Sequence, residues 1–350
     1  MKYTALGSSE LSVSEVCLGT MTWGIQNDQN DTDTQMGIAL DSGINFIDTA
    51  EMYPVPPNEP TSGDTERMLG NWLSRHQAQR SKLVIMTKIA GSGIRWIRDG
   101  GNITGDAIIT ALEASLQRLK TDYVDVYQLH WPNRTTPHFG KHWPGKVNPS
   151  NIHREDEVAG MRDILAGIRR ALDSGKIRHW GLSDDTPWGI HTFLRLCKEM
   201  NVPPPVSIQN EFSLLHGKDW PYLIEMCQLE NIAYLPWSPL ATGLLSGKYL
   251  DDARPKGSRW TFIQRQGLFR DKSLAHEATR RYVEIARRAN ITPSQLALAW
   301  CQQVPGVTST IIGATTSSQL SENIAAFDLT LDEAVLRQIH EVYKRYPQPF

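Results

Sequence analysis

Residues 82–88 read KLVIMTK. Leu83 to Met86 run without a polar break before Thr87 and Lys88. A strand with one wet face alternates apolar and polar residues, whereas an unbroken apolar run suits a strand covered on both faces, as in a parallel sheet. Seven more short runs of this kind follow the same logic: EVCLGT (15–20), INFID (44–48), YVDVYQLH (123–130), IRHWGLS (177–183), VSIQNEF (206–212), IAYLPWS (232–238) and STIIGAT (309–315).

Segments of helical period lie between them. ITGDAIITALEASLQRLK (103–120) places Ile108, Leu112, Leu116 and Leu119 on one face, with Thr104 or Asp106 as the N-cap. EVAGMRDILAGIRRALDSGK (157–176) aligns Met161, Ile164, Leu165, Ile168 and Leu172, and Gly175 stops the helix. Further helices are predicted at 34–42, 64–77, 187–199, 218–230, 274–289, 293–303, 317–326 and 331–345. Eight strands alternating with helices predict an α/β fold, a (β/α)8 TIM barrel, as one domain over 1–350. No GxGxxG follows a strand, which weakens a doubly wound alternative. YTALGSSELSVS (3–14) reads as an N-terminal β-hairpin closing the barrel bottom. The connections 89–104, 131–154 and 239–273 exceed plain turns, and each follows a strand, so all three belong to the C-terminal face, where barrel sites form.

Composition excludes several classes. With 40 % hydrophobic and 21 % charged residues the chain can build a large core, and a net charge of -2 without a basic block argues against nucleic-acid or membrane-surface partners. No apolar run reaches the ~20 residues of a membrane span. The four cysteines (Cys17, Cys197, Cys227, Cys301) are scattered, without CxxC spacing, as expected of reduced thiols in a cytoplasmic protein. His138, His142 and His153 share a loop but lack ligand spacing, so no metal is expected and they read as solvent-facing. No heptad or exposed apolar stripe indicates an oligomeric state.

The strand ends carry the chemistry. The second run ends at Asp48, with Tyr53 five residues on; the third ends at Lys88 and the fourth at His130. Alone, each is an ordinary cap, snorkelling cation or hydrogen-bonded histidine. Together they describe an acid. An ammonium favours the phenolate of a neighbouring tyrosine, and a carboxylate keeps that ammonium charged when buried. The histidine can orient a carbonyl oxygen.

The blocks GTMTWG, GINFIDTAEMY, TK (87–88), DYVDVYQLHWP, GKIRHWGLS, SIQNEF, WSPLATGLLSGK and IIGATTSSQLSEN, in this order from residue 19 to 323, resemble the aldo-keto reductase superfamily. AEMYPVPP and LHWP look especially like its bacterial Tas-like branch. The resemblance implies an NADPH-dependent reduction of a small aldehyde or ketone, with NADH the lesser cofactor. It implies Tyr53 as proton donor, tuned by Asp48 and Lys88, with His130 holding the carbonyl. For the cofactor it implies Ser183, Asp184 and Gln209 at the nicotinamide carboxamide and Trp237 stacked on the ring. It further implies Ser238, Leu240, Gly243 and Lys248 at the pyrophosphate, and Gly313, Thr315, Ser317, Gln319, Glu322 and Asn323 at the adenosine end. Trp23 and Trp131 are expected to line the substrate pocket, with Trp260 contributing.

Two positions depart from the family pattern. Asp184 stands where an asparagine is usual, and an ionised aspartate cannot donate to a carboxamide oxygen. Gln319 takes the place of an arginine often paired with a 2′-phosphate, leaving Arg259 or Arg265 to supply charge. A glycosidase reading of Asp48 with Glu51 ranks low, because both belong to one loop and Lys88 goes unexplained. A nucleotide-binding sensor similar to potassium-channel beta subunits is the alternative to an enzyme.

Overall fold

The chain opens with an antiparallel hairpin, β1 (Tyr3–Ala5) and β2 (Ser12–Ser14), in a computed structural model that describes residues 1–261 and 268–350. The eight apolar runs then become the strands of one parallel sheet: β3 (Val16–Gly19), β4 (Phe46–Asp48), β5 (Val84–Ile89), β6 (Val124–Leu129), β7 (Ile177–Ser183), β8 (Ser207–Glu211), β9 (Ala233–Trp237) and β10 (Thr310–Ile312). Their order is sequential, with β10 beside β3. The ring closes between β9 and β10 through a parallel bridge of Tyr234 to Val307, and the Thr308 amide donates to the Tyr234 carbonyl at 2.9 Å. This is the (β/α)8 barrel that the sequence predicts.

Register decides what lies inside. Ile311, Cys17, Phe46 and Val84 stand side by side, and one step further along the strands Gly19, Asp48, Met86 and Val126 do the same. Alternate residues of each strand face the interior. The lower interior is apolar, formed by Cys17, Phe46, Val84, Met86, Val126, Val206, Ala233, Leu235 and Ile311. Leu6 and Val13 of the hairpin pack into this cluster, so the hairpin closes the bottom. Nearer the strand C-termini the interior turns polar, with Asp48, Lys88, Gln128 and Gln209 all buried.

Ten helices are described: α1 (Gln29–Asp41), α2 (Asp64–Arg75), α3 (Gly105–Leu119), α4 (Arg154–Asp173), α5 (Pro187–Met200), α6 (Tyr222–Leu229), α7 (Ser273–Arg288), α8 (Pro293–Gln303), α9 (Ser317–Ala325) and α10 (Glu333–Arg345). The α1 helix starts well before the expected residue 34, because Asp28 and Asp31 form a reciprocal capping box. Thr104 caps α3, accepting from the Ala107 amide at 3.1 Å; Asp106 pairs with Arg170 instead. The α6 helix begins only after Pro221, which occupies the N-cap. The α7 and α10 helices share a separate apolar cluster that includes Tyr282, Ile285, Ile339 and Val342. No described helix is long and apolar enough to cross a membrane.

Phe46 is fully buried at the level where hairpin and barrel meet. Phe46→Ala is expected to lower unfolding stability by about 3–5 kcal/mol, read as a fall in urea midpoint with an unchanged slope.

Candidate active site

Lys88 ends the run that begins at Leu83, and its alternation turns it inward beside Asp48 of the neighbouring strand. Its Nζ lies 2.6 Å from Asp48 Oδ1, and the Lys88 side chain is 0 % exposed. The same ammonium donates to the Thr49 carbonyl at 2.8 Å and to the Tyr53 hydroxyl at 3.5 Å, which gives each of its three hydrogens a partner. Asp48 Oδ1 also accepts from Gln209 Nε2 at 3.0 Å, and Gln209 Nε2 donates to Gln128 Oε1 at 3.2 Å. The His130 ring meets Tyr53 edge-on at 5.6 Å. All four strand-end residues therefore converge on one rim.

The loop bearing Tyr53 is fixed by its neighbours. Glu51, weighed as a second catalytic carboxylate, accepts from the Ala90 amide at 2.6 Å and from Arg98 at 2.8 and 2.9 Å. It thus ties the 89–104 connection to the Asp48–Tyr53 turn. The Val55 amide donates to the Met21 carbonyl at 2.9 Å, and the Gly63 amide to the Tyr53 carbonyl at 2.9 Å. Val55 and Pro57 line the cavity, so the PVPPNEP stretch shapes its mouth.

Burial dominates the acid–base character of these groups. It pushes the Tyr53 phenol up to about 12, against a lowering by Lys88 and with a raising by Asp48. The expected net depression of Tyr53 by Lys88 is therefore outweighed: the phenol is desolvated, and Asp48 already balances the ammonium. Burial pulls Lys88 down, but Asp48 and then Tyr53 reverse this and hold it above the ordinary lysine value. Burial, reinforced by Lys88, keeps His130 well below the usual histidine range, and its Nδ1 is buried without a partner among the described residues. At neutral pH the site presents a protonated phenol, a charged lysine and a neutral imidazole.

These residues form one wall of a cavity of about 1330 Å³ that runs over the C-terminal ends of the strands. Of the expected cofactor residues, Ser183, Asp184, Gln209, Trp237, Ser238, Leu240, Gly243, Lys248, Gly313, Thr315, Gln319, Glu322 and Asn323 line it. Ser317 does not: it sits exposed at the first position of α9, while Thr315 and Thr316 face the cavity. Gly243 has φ +97° in the turn Ala241–Ser246, a conformation that favours glycine. Gln319 Oε1 accepts from the Thr315 amide at 3.1 Å and its hydroxyl at 3.0 Å; Glu322 accepts from Thr292 at 2.6 Å.

Three further expectations require correction. Trp23 is 0 % exposed, packs in the strand–helix core and donates to Gln35 Oε1 at 2.9 Å, so it does not line the pocket. Trp260 is likewise buried, stacked on Tyr249 at 4.2 Å with its Nε1 donating to Thr242 at 3.0 Å. His138, read as solvent-facing, is buried with Nδ1 3.5 Å from Asp184 Oδ1. Trp131 does line the cavity, packed against His130 at 5.0 Å. Phe139, which the sequence did not single out, stacks on Trp237 at 5.7 Å. A lone phenylalanine between His138 and Gly140 gives no periodic signal. Arg259 lines the cavity; Arg265 lies outside the described residues.

The sequence profile described as "Aldo/keto reductase family" matches residues 15–344. The chain is 41 % identical over 355 residues to "Protein tas" of Escherichia coli (strain K12), covering 100 % of this chain and 99 % of that protein. It is 37 % identical over 284 residues to "Aldo-keto reductase" of Babesia bovis, covering 77 % of this chain and 98 % of the relative. With the profile spanning nearly the whole barrel and a relative matched end to end, the chain belongs to the aldo/keto reductase family of oxidoreductases.

Proposed function

We propose that the chain reduces an aldehyde or ketone to the alcohol with NADPH, using Tyr53 as general acid. The observation that carries this reading is the protonated, buried Tyr53 hydroxyl 3.5 Å from an ammonium that Asp48 keeps charged, on the wall of a long cavity.

The cavity suits a dinucleotide. Its volume of about 1330 Å³ exceeds the roughly 300–1,000 Å³ of an ordinary small-molecule pocket. Among the described residues, Lys248 and Arg259 line it without a carboxylate within 4 Å, and Arg259 Nε has no partner. Burial, and then Arg270, push Arg259 down to about 10; burial and then Arg259 lower Lys248. Two cations that line one cavity, each lowered first by burial, fit an anionic ligand. Ser238, Leu240 and Gly243 then serve the pyrophosphate, and Gly313, Thr315, Gln319, Glu322 and Asn323 the adenosine end. The cationic pair suits the pyrophosphate that NADH and NADPH share, and NADPH is placed ahead of NADH because it is the family's typical cofactor.

A bound reduced nicotinamide supplies a hydride. His130, neutral, offers an N–H to the carbonyl oxygen and orients it. Tyr53 gives its phenolic proton to that oxygen as the alcohol forms, and Lys88 stabilises the phenolate left behind. Asp48 prevents Lys88 from losing its own proton. Trp131, Phe139 and Trp237 bound the space beside Tyr53 and His130, which favours a carbonyl carried on a flat or apolar group.

Tyr53→Phe is expected to lower kcat for NADPH-dependent carbonyl reduction by about 10²–10⁴-fold while NADPH binding, read by fluorescence quenching, is unchanged. Wild-type turnover by the Phe variant would exclude Tyr53 as the acid; tight NADPH binding without turnover of any carbonyl would favour the sensor reading. Lys88→Met strands a buried carboxylate and should destabilise the fold by about 3–5 kcal/mol. Adding Asp48→Asn should restore part of that loss, measured by urea unfolding of the single and double variants.

A further inference from the structure

Asp184 follows β7 directly, at φ +52°, and is 2 % exposed where it lines the cavity between Ser183 and Trp237. Its Oδ1 accepts from Trp237 Nε1 at 3.1 Å and faces His138 Nδ1 at 3.5 Å. Its amide donates to the Gln209 carbonyl at 3.1 Å, which fixes the backbone; no described hydrogen bond uses Oδ2. No lysine or arginine among the described residues lies within 4 Å of the carboxyl. Lys88, which acts on Asp184, is paired with Asp48, and Arg134 and Arg270 are paired with Asp185 and Glu211.

We propose that Asp184 grips the nicotinamide carboxamide as a neutral carboxylic acid, Trp237 fixing one oxygen while the other offers its O–H to the carboxamide oxygen. This rests on the cofactor reading above and adds the protonation state on which the grip depends. A carboxylic acid carries one donor and one acceptor, the pattern an asparagine amide would present, whereas a carboxylate only accepts and would repel the carboxamide oxygen.

The surroundings favour the neutral form. From β8 comes Glu211, paired with Arg270; beyond β8 lies Asp219; from β5 comes Lys88, paired with Asp48; beside Asp184 is Asp185, paired with Arg134. From the 131–154 connection comes His138, which burial and then His216 push down to about 3, so it brings no positive charge at neutral pH. A buried carboxyl with one neutral donor and no ion-pair partner keeps its proton. In keeping with this geometry, burial pushes Asp184 well above the usual carboxylate range, opposed by the Trp237 hydrogen bond and Lys88 and assisted by Glu211 and Asp219.

The sign follows. The folded value is raised, so the contribution to stability is complete below the ordinary aspartate range and is lost as pH rises through the raised value. Cofactor affinity follows the same course, because only the neutral form donates.

The test measures NADPH dissociation constants across mildly acidic to alkaline pH for wild type and Asp184→Asn, beside 2′-phospho-ADP-ribose, which lacks only the nicotinamide. Wild type should lose NADPH affinity by up to about tenfold per pH unit above the Asp184 titration. Asp184→Asn should hold its low-pH affinity, and the fragment should give one profile for both proteins. Parallel NADPH profiles in the two proteins, with the fragment still bound, overturn the proposal alone. Failure of both proteins to bind either ligand overturns the cofactor reading and this proposal together. The infrared carbonyl stretch of a protonated carboxyl, present in wild type and missing from Asp184→Asn at neutral pH, is the direct signature; its absence from wild type also overturns the proposal.

Discussion

The contact between Asp48 Oδ1 and Lys88 Nζ, 2.6 Å long and closed to solvent, joins β4 to β5 inside the barrel. Two apolar side chains would fill that layer without desolvating two charges, so a buried pair of this kind is weak evidence for stability. Its use lies in what it aligns. Lys88 reaches the Thr49 carbonyl and the Tyr53 hydroxyl, while Asp48 accepts from Gln209, which in turn reaches Gln128. Four consecutive polar contacts thus span β4, β5, β6 and β8, and they tie the phenol on its loop to the strands.

That chain also explains why Tyr53 remains protonated. A free ammonium beside it would favour phenolate, but here burial outweighs the Lys88 field, and Asp48 offsets part of that field. For the acid role proposed for Tyr53, which requires the proton to be held until charge develops on the carbonyl oxygen, this is useful. The alkoxide is a far stronger base, so the transfer is downhill at the moment it is needed and uphill before.

How much of this was legible in the chain depends on the physical signal. Burial on both faces writes itself as apolar runs, and all eight strands followed from runs such as KLVIMTK; Asp48, Lys88 and His130 then stood out as polar endings to those runs. The start of α1 was hidden because QNDTDTQMGIALD is largely polar, and only the cap of Asp28 and Asp31 marks it. Trp23 misled for a different reason: the GTMTWG stretch borders the cavity, yet the indole turns into the core toward Gln35. A sequence shows that a large apolar group will be covered, not which side covers it. The net sign of the Tyr53 shift was likewise beyond reach, being a difference between burial and charge that only distances decide. His138 shows the limit most clearly, since a histidine in a Gly- and Pro-rich loop looks solvated until tertiary contacts bring it against Asp184.

The pairing of charges around the cavity separates its two ends. Near Tyr53 the ionised groups are matched: Lys88 with Asp48, Arg98 with Glu51, Arg134 with Asp185 and Arg270 with Glu211. Asp184 lines the cavity with no lysine or arginine within 4 Å among the described residues, and the neutral acid proposed for it adds no unmatched charge there. Toward the turn Ala241–Ser246 the balance breaks, because Lys248 and Arg259 face the cavity with no carboxylate beside them among the described residues. A ligand with a neutral, amide-bearing head and a polyanionic middle meets complementary surroundings at both ends only in one direction. On the proposed dinucleotide reading, the polarity of the cavity orients the ligand before any single hydrogen bond does, with the reactive end beside the phenol rather than beside α9.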